Sequence, residues 1–349
     1  MVKRQILRGQ IEWRPGLLLA LFISPLLVGN LSCKHEKTMD TNTDTPAEIT
    51  WRQTALDSLK IFSLAAHPSI GVLAGSCAAP IYRSVDHGNS WIPRVPACSR
   101  AIAINRSGDV FWTGGAVVRR STDTCESWIS LYSGFSSVDL KAIAFNQQGN
   151  IFVSSLTSDE SRGGIYRSAD NGDTWIKTSF PDSIGPWVLA INSNGDIFAG
   201  TGFGVFRSVD DGTTWMQLNI GFRDLGLNYF VSALAIDSAN GNIFAALEDD
   251  GVYRSTNNGN TWGLTGLTNP TIEALIINEK GHIFAGSKSN FPVDPAGVFY
   301  SIDKGENWAQ INSGLTNIDV LALTIDPAGY VYAGTHGSGV FRTVESTNE

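Results

Sequence analysis

One turn recurs along this 349-residue chain, with the pattern Ser-x-Asp-x-Gly-x-Thr-Trp. It appears as SVDHGNSW (84–91), SADNGDTW (168–175) and SVDDGTTW (208–215), with looser copies STDTCESW (121–128), STNNGNTW (255–262) and SIDKGENW (301–308). Ahead of each copy lie three short apolar stretches, as in ALAI (233–236), GNIFAA (241–246) and GVYRS (251–255). The glycines opening the middle stretch, Gly71, Gly108, Gly149, Gly195, Gly241, Gly281 and Gly329, fall at an average spacing of 43 residues. That is the period of a four-stranded propeller blade, about 40–45 residues. The expected fold is therefore all-β: a seven-bladed β-propeller of four-stranded blades over residues 48–349.

The two ends of the repeat complete one another. The seventh unit stops after GVFRT (339–343), whereas EITWRQTAL (48–56) opens the domain with a Trp in the context of the fourth strands. Residues 48–56 are expected to supply the outer strand of the last blade, closing the ring and removing two open sheet edges. Seven of the ten Trp residues then share one position: Trp51, Trp91, Trp128, Trp175, Trp215, Trp262 and Trp308. Composition agrees. Charged residues are 17% of the chain, against about 25% in average globular proteins, and Gly numbers 36. Helical bundles, coiled coils and disordered acidic chains are excluded.

The recurring turn resembles the Asp-box (bacterial neuraminidase) repeat. The resemblance covers residues 48–349, and it implies a propeller without fixing an activity. Asp-box propellers include sialidases, xyloglucan-degrading hydrolases, sortilin-type receptors and a photosystem II assembly factor. The turn's chemistry is local: a carboxylate can accept backbone N–H groups of its own hairpin, and Gly supplies positive φ. Asp86, Asp123, Asp170, Asp210 and Asp303 are accordingly expected to be structural, with Asn257 keeping the acceptor oxygen. Cys125 stands where every other copy has Gly. Arg83, Arg120, Arg167, Arg207, Arg254 and Arg342 recur on third strands. They are read as packed stems with snorkelling guanidinium groups.

Residues 1–32 read as a lipoprotein-type export signal: four basic residues, the apolar run GLLLALFISPLLVG (16–29), then NLSC (30–33) with Cys33 as the lipidated residue. Residues 33–47 read as a flexible tether. Without residues 1–32 the net charge falls from −8 to −11. That argues against nucleic acid and against electrostatic adhesion to anionic lipid, leaving membrane attachment to the N-terminal lipid alone. The expected location is the bacterial cell envelope, with plain secretion as the alternative.

Specificity is expected where the repeat breaks. Loops between second and third strands share one face with the crossings between blades, opposite the Asp-box turns. The candidate binding residues there are Trp112, Trp187, Arg223, Asp224, Tyr229, Arg162 and Phe291. Aromatics beside isolated charges suit a protein or glycan ligand. Carboxylates on that face are Asp159, Glu160, Asp224, Glu248, Asp249, Asp250 and Asp294. None sits in a recognisable catalytic motif, and the sialidase Arg-Ile-Pro signature is missing. The five His residues lack ligand spacing, so no metal or cofactor is expected. Cys77 and Cys98 fall on one face of one unit, and an exported compartment permits a bond between them. The function expected is non-catalytic binding by a monomer through the crossing-loop face. A divergent sialidase- or xyloglucanase-like hydrolase is the alternative, and an assembly factor for an envelope complex the second alternative.

Overall fold

In a computed structural model, residues 48–77, 79–95, 98–131, 139–156, 163–223, 229–268, 270–289 and 296–348 are described. Residues 1–47, where a signal, Cys33 and a tether are expected, lie outside them, as do Arg162, Asp224 and Phe291.

The described residues form 28 strands in seven four-stranded antiparallel sheets. Strand β1 (Trp51–Gln53) stands first. Then β2–β5 make blade 1 (Ser63–Val95), β6–β9 blade 2 (Ala101–Leu131) and β10–β13 blade 3 (Asp139–Lys177). Strands β14–β17 make blade 4 (Pro186–Gln217), β18–β21 blade 5 (Val231–Thr268) and β22–β25 blade 6 (Thr271–Gln310). Blade 7 takes β26–β28 (Val320–Thr343) and recruits β1, in the order β26-β27-β28-β1. The closing register is Trp51↔Thr343, Arg52↔Arg342 and Gln53↔Phe341. The seven-bladed ring is thus closed by the N-terminal strand.

Second strands are buried along their length, as in Ile197–Thr201, because a neighbouring blade covers each face. This is why they read as continuous Ile/Phe/Ala runs without alternation. The first strand of every blade contacts the first strands of the blades on either side, so these strands line the central channel.

Six turns of the recurring Ser-x-Asp pattern, called Asp-box turns below for the motif they resemble, are built alike. In blade 3 the buried Ser168 Oγ accepts from Gly172 N at 2.8 Å and donates to Asp170 Oδ1 at 2.8 Å. Asp170 also accepts from Thr174 N (2.9 Å) and Thr174 Oγ1 (2.5 Å). Those hydrogen bonds, Thr174's first, hold the Asp170 carboxyl down at about 2. The Ser127 hydroxyl does the same for Asp123. Asn257 keeps the acceptor, taking Thr261 N at 2.9 Å, and its amide donates to Thr261 Oγ1 at 2.8 Å. Ser168→Ala would strand the buried Gly172 N–H. The expected loss is about 2 kcal/mol in a denaturant titration, with Ser168→Thr as the variant that retains the acceptor.

The tip of each turn ties neighbouring blades together. The residue before the Gly is left-handed throughout: His87, Thr124, Asn171, Asp211, Asn258 and Lys304 lie at φ 55–60°. Its carbonyl accepts the third-strand arginine of the preceding blade. Arg83 reaches Thr124 O at 3.1 Å, Arg207 reaches Asn258 O at 2.5 Å, Arg254 reaches Lys304 O at 2.8 Å, and Arg120 bonds Asn171 O. Arg167 takes the Asp211 carboxylate instead, at 3.1 Å. Five of the six arginines are therefore staples between blades, a more specific role than the snorkelling stem expected from sequence, while Arg342 lies over the Tyr330 ring of its own blade, 4.0 Å from the centroid. The tip side chains reach the same neighbour: Asn171 to Asp109 (3.1 Å), Asn258 to Asp196 (2.6 Å), and His87 to Asp326 (2.9 Å) across the closing seam. Blade 7 has no such turn. The C-terminal segment replaces it, with Thr347 N donating to Gly329 O at 2.9 Å and Asn278 Nδ2 to Thr347 O at 3.0 Å.

Candidate functional site

The crossing-face mouth of the channel is built by one structural position used seven times. Two residues before the inner-strand residues that pair with Ala74, Trp112, Val153, Ala199, Ala245, Ala285 and Ala333 of the second strands stand Phe62, Arg100, Lys141, Trp187, Ser232, Glu273 and Leu321. In blades 3–7 the ladder breaks here, with register shifts at Leu140/Ile143, Pro186/Val188, Val231/Ala233, Ile272/Ala274 and Val320/Ala322. A bulge frees a residue from the ladder and re-aims its side chain. Below this level the inner strands return to Ala, Leu and Ile. Chemistry therefore varies at the mouth, while the residues deeper in the channel repeat.

Three groups of contacts populate the mouth. Trp187 packs on Phe230, ring centroids 5.2 Å apart, and the Lys141 ammonium lies 5.3 Å from the Trp187 ring centroid. Lys141 is only 8% exposed and pairs with Asp139 at 2.9 Å, while Arg100 stands 3.8 Å from the same carboxylate. In blade 6 Lys288 pairs with Glu273. Glu248, beside them in blade 5, donates its backbone N–H to Phe230 O at 2.9 Å. Burial raises the Glu248 carboxyl above the usual range, with Asp249 and Glu273 adding to the rise and Lys288 opposing it.

The sequence candidates separate on this structure. Trp187 sits at the mouth, half-buried. Trp112 does not: it is 3% exposed, packed edge-on against Trp128 (6.4 Å) with the Arg119 guanidinium 5.0 Å from its ring. It fills the slot of the small Ala in other blades and belongs to the core between blades 1 and 2. Arg223 clamps its own crossing. It pairs with the 5%-exposed Asp250 at 2.5 Å, and Asp250 in turn accepts the Tyr253 hydroxyl at 2.5 Å. Tyr229 packs against Phe222, 5.8 Å between centroids, in the same cluster. Both serve to seat the blade 4–5 crossing. Cys77 and Cys98 are joined in a disulfide, which ties the blade 1 loop to the crossing that leads into Arg100. Arg100, Lys141, Phe230, Glu273 and Lys288 were not singled out from the sequence. Reading down the column that precedes each ALAI-type strand is the signal that finds Arg100, Lys141 and Glu273; Phe230 and Lys288 fall outside it.

A second hollow, about 620 Å³, opens at the Asp-box end of the channel between Ile104–Ser107, Phe145–Gly149 and Ile191–Ser193. Its asparagines are engaged in their own hairpins: Asn105, Asn146 and Asn192 each accept backbone N–H groups of the turn they open. Among the described residues, no group of three or more His, Cys, Asp or Glu could hold a metal ion.

No family model and no curated protein matches the chain. Solved structures match the fold. The extracellular domain of a hybrid two-component system from B. thetaiotaomicron superposes with a TM-score of 0.69 at 13% identity, over 85% of this chain and 39% of that one. A GH74 xyloglucanase from Xanthomonas campestris gives 0.66 at 15% identity, over 84% and 53%. YCF48 from Cyanidioschyzon merolae gives 0.63 at 15%, over 84% and 98%. The chain thus spans well under two thirds of the first two. At these identities the likeness concerns the propeller alone.

Proposed function

We propose that the chain is a non-catalytic binding propeller that holds a protein or glycan at the crossing-face mouth of its channel. One observation carries this reading: a position repeated seven times holds seven different residues, on a scaffold whose other positions are constrained by packing. Trp187 and Phe230 offer a stacking surface, and the flanking charges offer orientation. The similar folds named above come from proteins of quite different kinds, which accords with a scaffold whose specificity lies in its rim.

The test is a glycan array beside an affinity pull-down from the envelope fraction, each with the full chain and its Trp187→Ala variant. A partner held by the wild type should be retained at least about tenfold less by the variant, the scale of a lost aromatic anchor, at little change in melting temperature. Equal retention by both proteins would remove the mouth from consideration.

Glu248 and Glu273 favour hydrolysis as a second reading. A carboxyl with raised proton affinity beside an ion-paired one is the pairing that glycoside hydrolysis uses. Release of reducing ends from an envelope glycan, abolished in Glu248→Gln, would establish it. We also read Cys33 as a lipid attachment point that places the propeller in the cell envelope. The Cys77–Cys98 bond supports an oxidising compartment. Mass spectrometry of the mature N-terminus checks the anchor, and an unmodified Cys33 removes it.

A further inference from the structure

Among the described residues, the charges at the mouth are largely sorted by side. Arg100 and Lys141 stand at the mouth of blades 2 and 3, with Lys60 on the segment leading into blade 1. Lys60 lies two residues ahead of Phe62, its ammonium 4.7 Å from that ring, and its backbone forms an isolated β-bridge with His336 of blade 7. Blades 5–7 carry Glu248, Glu273 and Asp319. Trp187 and Phe230 stand between the two arcs, and Leu321 and Phe62 close the other side. Local pairing leaves a surplus on each arc. Asp139 is taken by Lys141 at 2.9 Å, so the exposed Arg100, at 3.8 Å, is only loosely answered. Lys288 is taken by Glu273, which leaves Glu248 on the acidic side. Asp319 uses one carboxylate oxygen on Ser289 N at 2.9 Å and keeps the other.

Such a mouth selects by charge layout. A neutral sugar could stack on Trp187 but has no use for opposed arcs. A purely anionic chain would be drawn to Arg100 and repelled by Glu248 and Glu273, and a purely cationic one would meet the reverse. A ligand with an acidic group at one end, a basic group at the other and an apolar group between them satisfies every part. We propose that the mouth takes a dipolar peptide segment: its carboxylate toward Lys60 and Arg100, its cation toward Glu248 and Glu273, its apolar side chain against Trp187 and Phe230. This rests on the binding reading and names its ligand class. The raised proton affinity of Glu248 agrees with it, since a ligand cation there would restore the charged form.

Four probes test it on the full chain at low salt: capped pentapeptides Asp-Gly-Phe-Gly-Lys, Asp-Gly-Phe-Gly-Asp and Lys-Gly-Phe-Gly-Lys, and cellotetraose, each titrated calorimetrically. The dipolar peptide should bind about tenfold more tightly than either single-sign peptide, and the margin should shrink as salt rises. Arg100→Glu, a change at an exposed position, should weaken the dipolar peptide about tenfold and strengthen the Lys-Gly-Phe-Gly-Lys peptide. Equal binding of all three peptides, or an unchanged ranking in Arg100→Glu, overturns the proposal. If cellotetraose binds in a Trp187-dependent way and no peptide does, the dipolar ligand is wrong and the binding site stands. If nothing binds and the Trp187→Ala pull-down is also unchanged, both readings fall.

Discussion

Trp51→Ala should lower the stability of the propeller by about 4 kcal/mol, the usual scale for removing a buried Trp. Trp51 is buried against Phe284, Val298, Leu315 and Phe341, which belong to blades 6 and 7, and its indole N–H donates to Ile311 O at 2.6 Å. Its loss opens a cavity in the one blade assembled from both ends of the chain. Trp308 holds the same place in the repeat but is half-buried, and it donates to its own turn at Gly305 O, 3.0 Å away. Trp308→Ala should therefore cost clearly less. Guanidinium melts of the two variants check this. Equal losses would mean that the closing strand is no more critical than any other fourth strand. The transition of Trp51→Ala should remain a single step, because the staples at the Asp-box tips, and the C-terminal segment between blades 6 and 7, couple each blade to the next.

Gly172→Ala should be almost as damaging, at about 3 kcal/mol. Gly172 has φ +93°, and a Cβ there would stand 2.6 Å from Leu131 Cδ1. A left-handed backbone alone costs an L-residue about 1–2 kcal/mol, and forcing a buried Leu aside adds about 1–3 kcal/mol. Gly149→Ala separates the two effects. Its φ is +85°, and open space surrounds its missing Cβ, so it should show only the backbone part. Cys125 is the natural counterpart. It holds φ +72° with a buried thiol, and its N–H donates to Ser121 Oγ at 3.0 Å as the glycines do. Where blade 2 pairs Leu131 with Val118, blade 1 pairs Val95 with Ile81, and Val95 packs against the cluster that holds Cys125. The Cys side chain is accommodated next to it. Burial raises the thiol to about 11, so Cys125 is an inert filler.

The blade count, the closing strand and the structural role of the Asp-box carboxylates were legible because each is written several times, or by two complementary ends. Repetition averages out context, and that is also why it hid other things. Six recurring arginines look alike in sequence, but nothing in a single repeat says that five of them serve the next blade and Arg342 its own. Trp112 looked like an exposed novelty because it replaces Ala. Its exposure depends on the neighbouring blade, where Ile70, Leu73 and Ile81 join the cluster that buries it. The mouth residues fall one or two positions outside the conspicuous ALAI-type strands, at bulges that no local pattern announces. Trp187 was visible as an unrepeated aromatic. Its partners Lys141 and Phe230 come from other blades, and only the ring brings them to it.

Fourth strands run from the Asp-box face to the crossing face. Strand β1 begins at Trp51 on the Asp-box side, and the C-terminal segment to Asn348 lies there too, against Gly329. The described stretches at residues 48–51 and 344–348 therefore both lie on the face away from the channel mouth and leave that mouth clear.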